Sequence, residues 1–175
     1  MTTYIKQAQS GRSMIEMLGV LAIVGILSAG GIAGYSMAMQ SYKTTALIEK
    51  INLIATQTRN LYKKGGYSTD DITKVGTGDN AGKTIGTLID SGKIGATDAA
   101  NPFGGVLTTK GATDTFTVTA TNVPAESCVD LLTAEWGSTG VFSGIKVGGT
   151  AATLTTAGAI AACKGGNKTV VLTFK

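Results

Sequence analysis

Histidine is absent from this 175-residue chain. That removes the commonest general base and the commonest zinc ligand. Two cysteines alone do not make a zinc site, so neither a metal nor a cofactor is expected. Charge is scarce too: charged residues are 15% of the chain, and its lysines and arginines are scattered. The net charge of +4 therefore forms no basic stripe, and nucleic acid is not an expected partner. Proline occurs twice. No catalytic constellation stands out. Ser127 has no histidine to activate it, and Glu126, Asp130 and Glu135 read as surface charge on a helix rather than a paired-acid site. Gly76–Thr84 superficially suggests a phosphate loop. Counting back from Gly82-Lys83, Gly76 leaves five intervening residues and Gly78 three, where the motif needs four.

What the chain does have is apolar and small. Hydrophobic residues make up 43% and glycine occurs 25 times, an apolar, charge-poor balance for a purely soluble domain. The apolar residues concentrate near the N-terminus. Met1–Ser10 is polar with one charge, Lys6, and no charged residue occurs from Met17 to Tyr42. As a helix, Met17–Met39 would extend about 35 Å, enough to cross a hydrocarbon core of about 30 Å. A secretory signal would have a shorter apolar stretch of roughly 7–15 residues. A plain membrane anchor explains the length but not Glu16, because an acid at the edge of hydrocarbon costs a few kcal/mol unless it is paired.

The segment Gly11-Arg12-Ser13-Met14-Ile15-Glu16-Met17-Leu18 resembles the processing site of type IV pilins and the related pseudopilins. The resemblance implies cleavage after Gly11 by a membrane aspartyl prepilin peptidase, N-methylation of Arg12, and retention of the apolar run. Arg12 stands where the family usually has Phe or Met. Glu16 becomes the fifth mature residue, whose counterpart in the family pairs with the terminal amine of a neighbouring subunit. An unpaired charge in an apolar filament core is heavily penalised, so such a pair acts as a register device. The family's helix-bending proline is missing here; Gly25, Gly30, Gly31 and Gly34 are candidates to loosen the helix instead. Gly25, Ala29 and Ala33, and Gly30 and Gly34, recur every four residues, a spacing that lets apolar helices approach closely.

The helix is expected to run from about Met14 to Lys64. Leu47, Ile51, Ile54, Thr58 and Leu61, flanked by Ile48, Ala55 and Tyr62, form one apolar face. Lys63 and Lys64 suit the helix dipole, with Gly65-Gly66 as the cap. Beyond it, Ile85, Leu88 and Ile89 predict a short helix near Thr84–Asp90. Asn101-Pro102-Phe103-Gly104-Gly105 reads as a turn, and Val106–Thr109 with Thr115–Ala120 as a hairpin. A second helix should start near Pro124, bury Val129, Leu132 and Trp136, and stop at Gly137. Further strands are expected at Val141–Val147, around Ala152–Thr155 and at Thr169–Phe174, with Cys163 just before the last.

These readings make an α+β chain: a long N-terminal α-helix packed on an antiparallel β-sheet head. Its parts are a leader (1–11), a hydrophobic transmembrane and polymerisation helix (12–42), an amphipathic half (43–66) and a globular head (67–175). With Lys6 and Arg12 holding the leader in the cytoplasm, the head reaches an oxidising compartment where one disulfide is permitted. The pilin resemblance implies a C-terminal disulfide loop between Cys128 and Cys163; two free buried thiols are the other reading. The helix-borne cysteine in Val123-Pro124-Ala125-Glu126-Ser127-Cys128-Val129-Asp130-Leu131-Leu132 is most similar to the PilS-type subfamily of type IVb pilins.

The resemblance therefore implies a non-enzymatic structural subunit. It would enter the inner membrane as a precursor, be handled by an assembly platform there, and polymerise into a helical homo-oligomer on the cell surface. Adhesion, motility and conjugative cell contact are the roles it implies. A type II secretion pseudopilin or a minor pilin is the alternative; the cysteine pair favours the pilin.

Overall fold

The computed structural model describes residues 14–62, 67, 85–137 and 141–175. Gly11, Arg12, the expected helix end at Lys63–Gly66, and Gly76–Thr84 lie outside the described residues. The described chain divides into two compact units, Met1–Met39 and Gln40–Lys175.

Helix α1 spans Met14–Leu61. In the first unit it is solvent-exposed from Met14 to Ala38. In the second unit the same helix is amphipathic, and Leu47, Ile51, Ile54, Ala55 and Thr58 are buried at the expected spacing of three and four. Two details differ from expectation. Leu61 is exposed, and the buried row starts earlier, at Thr44, because the Thr44 hydroxyl shares a 2.8 Å hydrogen bond with the buried Ser127 hydroxyl. Buried Thr58 donates to the Ile54 carbonyl at 2.7 Å, so its hydroxyl is satisfied within the helix.

Helix α2 (Gly86–Asp90) buries Ile85 and Leu88 beside it and is followed by a 3-10 turn, Ala96–Ala99. Lys50, on α1, donates from Nζ to the carbonyls of Thr97 and Ala100 at 2.7 and 3.0 Å. These are carbonyls at the C-terminal end of that turn, where a cation is favoured.

The sheet is antiparallel throughout, in the order β1-β2-β5-β3-β4, with β1 Leu107–Gly111, β2 Phe116–Val123, β3 Phe142–Val147, β4 Thr150–Ala151 and β5 Lys168–Phe174. The last strand lies in the middle, paired with β2 and β3. Its buried residues Val170, Leu172 and Phe174 alternate with less buried ones, as for a strand with one face on a core. They join α1's Leu47, Ile51 and Ile54 in a single core cluster. Phe174 is the aromatic hub, with Phe116, Phe142 and Trp136 rings at 5.5, 5.8 and 6.4 Å.

Strand β1 runs to Gly111, two residues past its expected end, because Ala112 and Thr115 close the hairpin through a 2.7 Å backbone bond. In β2 a bulge between Ala120 and Val123 lets both face the core despite their odd spacing. The extra residue, Asn122, has a φ of 58°. Its side chain donates to the Phe103 carbonyl at 2.7 Å and accepts from Asn167, tying three segments together.

The Asn101–Gly105 turn forms as expected. Buried Asn101 donates to the Thr121 carbonyl at 2.6 Å and accepts from the Phe103 N–H at 2.9 Å. Gly105 is obligatory, since a Cβ there would fall 2.0 Å from the Thr121 carbonyl oxygen. Gly105→Ala should therefore destabilise the head by about 2 kcal/mol through overpacking and loss of the turn. A chemical denaturation midpoint indistinguishable from wild type would contradict this contact.

Helix α3 (Ala125–Thr133) and helix α4 (Thr156–Cys163) complete the head. The expected buried face of α3 is corrected. Ser127, Cys128, Leu131 and Leu132 are buried and Val129 only partly, because α3 faces α1 through Ser127 and α4 through Cys128. It ends at Thr133 rather than Gly137. Trp136 lies beyond it, buried, and its Nε1–H donates to the Leu131 carbonyl at 2.8 Å, satisfying one of the last carbonyls of the helix. A strand expected around Ala152–Thr155 is not there. The short β4 precedes it, and α4 follows, capped by Thr155 Oγ1, which accepts from the Gly158 N–H at 3.2 Å. Cys163 is thus the last residue of a helix.

Candidate assembly site

Two sets of residues carry the functional reading: the exposed part of α1, and the bridge that closes the C-terminal region. The bridge is formed. Cys128 and Cys163 are joined with a Cα–Cα distance of 5.7 Å, linking α3 to α4 across 35 positions. Both are essentially fully buried. The reading of two free thiols is set aside.

On α1, Met14–Leu61 contains an 18-residue window with a mean hydropathy of 2.1, none of it buried. Ile15, Leu18, Leu21, Ile26, Leu27 and Ile32 are each more than half exposed. Glu16 is exposed among them, and among the described residues it makes neither a hydrogen bond nor an ion pair. A surface hollow of about 520 Å³ lies beside it, lined by Glu16, Met17, Gly19, Val20 and Ile23. Gly19 leaves the notch, since no side chain fills the space between Glu16 and Ile23. Its place three residues after Glu16, on the same helical face, was the available signal, and the four-residue spacing rule did not single it out.

Gly25, Gly30 and Gly34, with Ala29 and Ala33, fall on α1 as the sequence places them. A Cβ at Gly25, Gly30, Gly31 or Gly34 would meet nothing within 4 Å. Each helical glycine costs about 1 kcal/mol relative to alanine. No contact among the described residues offsets that cost. Among the described residues no group of histidine, cysteine or carboxylate side chains could hold a metal.

The family described as PilS N terminal matches residues 41–175. The chain belongs to the PilS family of type IVb pilins. Curated relatives agree. Toxin coregulated pilin of Vibrio cholerae is 28% identical over 156 residues, covering 84% of this chain, and the serotype O1 form is 26% identical over 155. The chain spans 66% of the length of both relatives. The crystal structure of TcpA, a type IV pilin from the El Tor biotype of Vibrio cholerae, superposes with a TM-score of 0.54 at 18% identity. The match covers 75% of this chain and 98% of that one. That likeness establishes the pilin fold: a long N-terminal helix with an antiparallel sheet and a C-terminal disulfide.

Proposed function

We propose that this PilS-family chain is the structural subunit of a type IVb pilus and polymerises through α1. One observation carries the reading. In a member of a pilin family, the helix exposes a continuous apolar surface from Met14 to Ala38, with a single acid, Glu16, at its leading edge. Such a surface is stable in only two settings, a bilayer or a bundle of like helices. The precursor uses the first at the inner membrane, and the filament at the cell surface uses the second.

Prepilin peptidase removes 1–11 by cutting after Gly11, which leaves 12–42 as the membrane and polymerisation segment, 43–66 as the amphipathic half and 67–175 as the head. The new Arg12 amine, methylated after the cut, pairs with Glu16 of a neighbouring copy. Gly25, Ala29, Gly30, Ala33 and Gly34 form the stripe along which helices approach. Close approach would return the helix-propensity cost of the glycines as interhelical van der Waals contact. An inner-membrane assembly platform extracts the subunits. Adhesion, motility and conjugative cell contact are the uses such a fibre serves.

Co-expression with a prepilin peptidase, followed by intact mass measurement, tests the first step. The expected product begins at Arg12 and retains the whole apolar segment. A product that begins beyond Tyr42, released as a soluble head, would reject polymerisation through α1.

A further inference from the structure

Arg59 and Asp114 carry opposite charges at the mouth of the same cleft on the head, yet do not pair. The cleft has a volume of about 380 Å³, in the size range of small-molecule sites, and lies between α1 and the β1–β2 turn. Thr56, Arg59 and Asn60 form one wall, Thr113 and Asp114 the other, and the half-buried Tyr62 and Tyr67 line it between them. The Tyr67 ring is braced against Phe116 at 4.8 Å, and its backbone N–H is tied to the Thr113 carbonyl. The aromatic wall is therefore set by the core. Among the described residues, the side chains of Arg59, Asn60 and Asp114 make no hydrogen bond or ion pair. A second hollow of about 210 Å³ shares Thr56 and Arg59 and reaches towards Trp136.

The chemistry of the lining selects among ligands. An anion gains from Arg59 and loses to Asp114, and a cation does the reverse. A purely apolar ligand would strip water from a guanidinium, an amide and a carboxylate without replacing it. A ligand rich in hydroxyls answers all three, because each hydroxyl both donates, as Asp114 needs, and accepts, as Arg59 and Asn60 need. The half-buried tyrosines offer a partly apolar surface that suits a sugar ring beside that polar rim. We propose that this cleft binds a neutral saccharide, one ring beside Tyr67 with its hydroxyls on Asp114, Asn60 and Arg59. This recognition site goes beyond the filament reading and does not depend on it.

Saturation-transfer NMR on the full chain, in a detergent without sugar headgroups, tests the site. The probes are methyl galactoside, methyl glucoside, N-acetylgalactosamine and N-acetylglucosamine, each alone, with glucuronic acid and glucosamine as charged comparisons. At least one neutral probe should show saturation of its ring protons. Asp114→Ala and Asn60→Ala should each weaken that signal at least fivefold, while Lys146→Ala, an exposed change on β3, leaves it intact. Asp114 and Asn60 are exposed, and an unchanged thermal melt confirms that their variants fold. Silence from every neutral probe overturns the proposal, as does a signal that survives both cleft substitutions. A response to glucuronic acid or glucosamine alone also overturns it and leaves an ion site in its place.

Discussion

Glu16→Ala should leave processing and head stability unchanged while filament yield falls by two orders of magnitude or more. The reason lies in what a mature helix end brings into a bundle. On the proposed reading, leader removal would bring a terminal ammonium into an apolar environment, where the Glu16 carboxylate of another copy would be its counter-charge. Removing one partner of a buried pair costs about 3–5 kcal/mol, since the remaining charge is then desolvated alone. At 1.4 kcal/mol per factor of ten, that weakens each addition step by at least about a hundredfold. The head melts as before because Glu16 makes no hydrogen bond or ion pair among the described residues. Sedimentation of sheared filaments, alongside thermal denaturation of the detergent-solubilised subunit, separates the two effects. Normal fibre yield from Glu16→Ala would mean that the carboxylate sets no register. Glu16→Gln is the informative companion. It keeps the shape and a hydrogen-bonding oxygen but not the charge, so recovery by Gln would assign the effect to hydrogen bonding rather than to charge.

The double substitution Cys128→Ala with Cys163→Ala should destabilise the head by about 4 kcal/mol on a chain-entropy estimate, within a range of about 2–5. The bridge spans 35 positions and contains β3, β4 and α4. Helix α4 depends on it most. Of its residues only Ala159 and Cys163 are buried, and Ile160 is more than half exposed. Without the link, the methyl groups of buried Ala159 and half-buried Ala162 and the Thr155 cap hold it to the head, too little to offset the entropy of ordering eight residues. At about 2–4 °C per kcal/mol for a chain of this size, the midpoint should drop by roughly 10 °C. Wild-type protein should show the same loss when unfolded in the presence of a strong reductant. A double variant that melts within 1 kcal/mol of wild type would show that α4 is held by packing alone.

The legible parts of the fold were those whose signal is local. The apolar run of α1 and its Leu47, Ile51, Ile54 row follow from periodicity, because a helix with one wet face must repeat every three to four residues. The β1–β2 hairpin and β5 follow from alternation bounded by turn residues, and the Asn101–Gly105 turn from residue types that tolerate it. The pairing of Cys128 with Cys163 came from likeness to pilins, and the geometry bears it out. The misread parts depended on distant partners. Helix α4 carries alanine and glycine with little contrast between its faces, and Gly158 looks like a helix breaker. It is required because a Cβ there would meet Thr153 Cβ at 2.7 Å. The face of α3 was set by Thr44, 83 positions away, and by the disulfide rather than by its own apolar pattern.

The sequence alone determined that this is a pilin-type chain: a greasy N-terminal segment with one acid at its edge, an amphipathic continuation and a small α+β head with two cysteines. Each of these is written in neighbouring residues, where spacing and hydropathy suffice. Only the tertiary structure decided that β5 enters the centre of the sheet, that α3 turns Ser127 and Cys128 inward, and that Arg59, Asn60 and Asp114 meet around one groove. Those arrangements join residues tens of positions apart, and the free energy that selects among them comes from packing and hydrogen bonds that exist only once the chain has closed on itself.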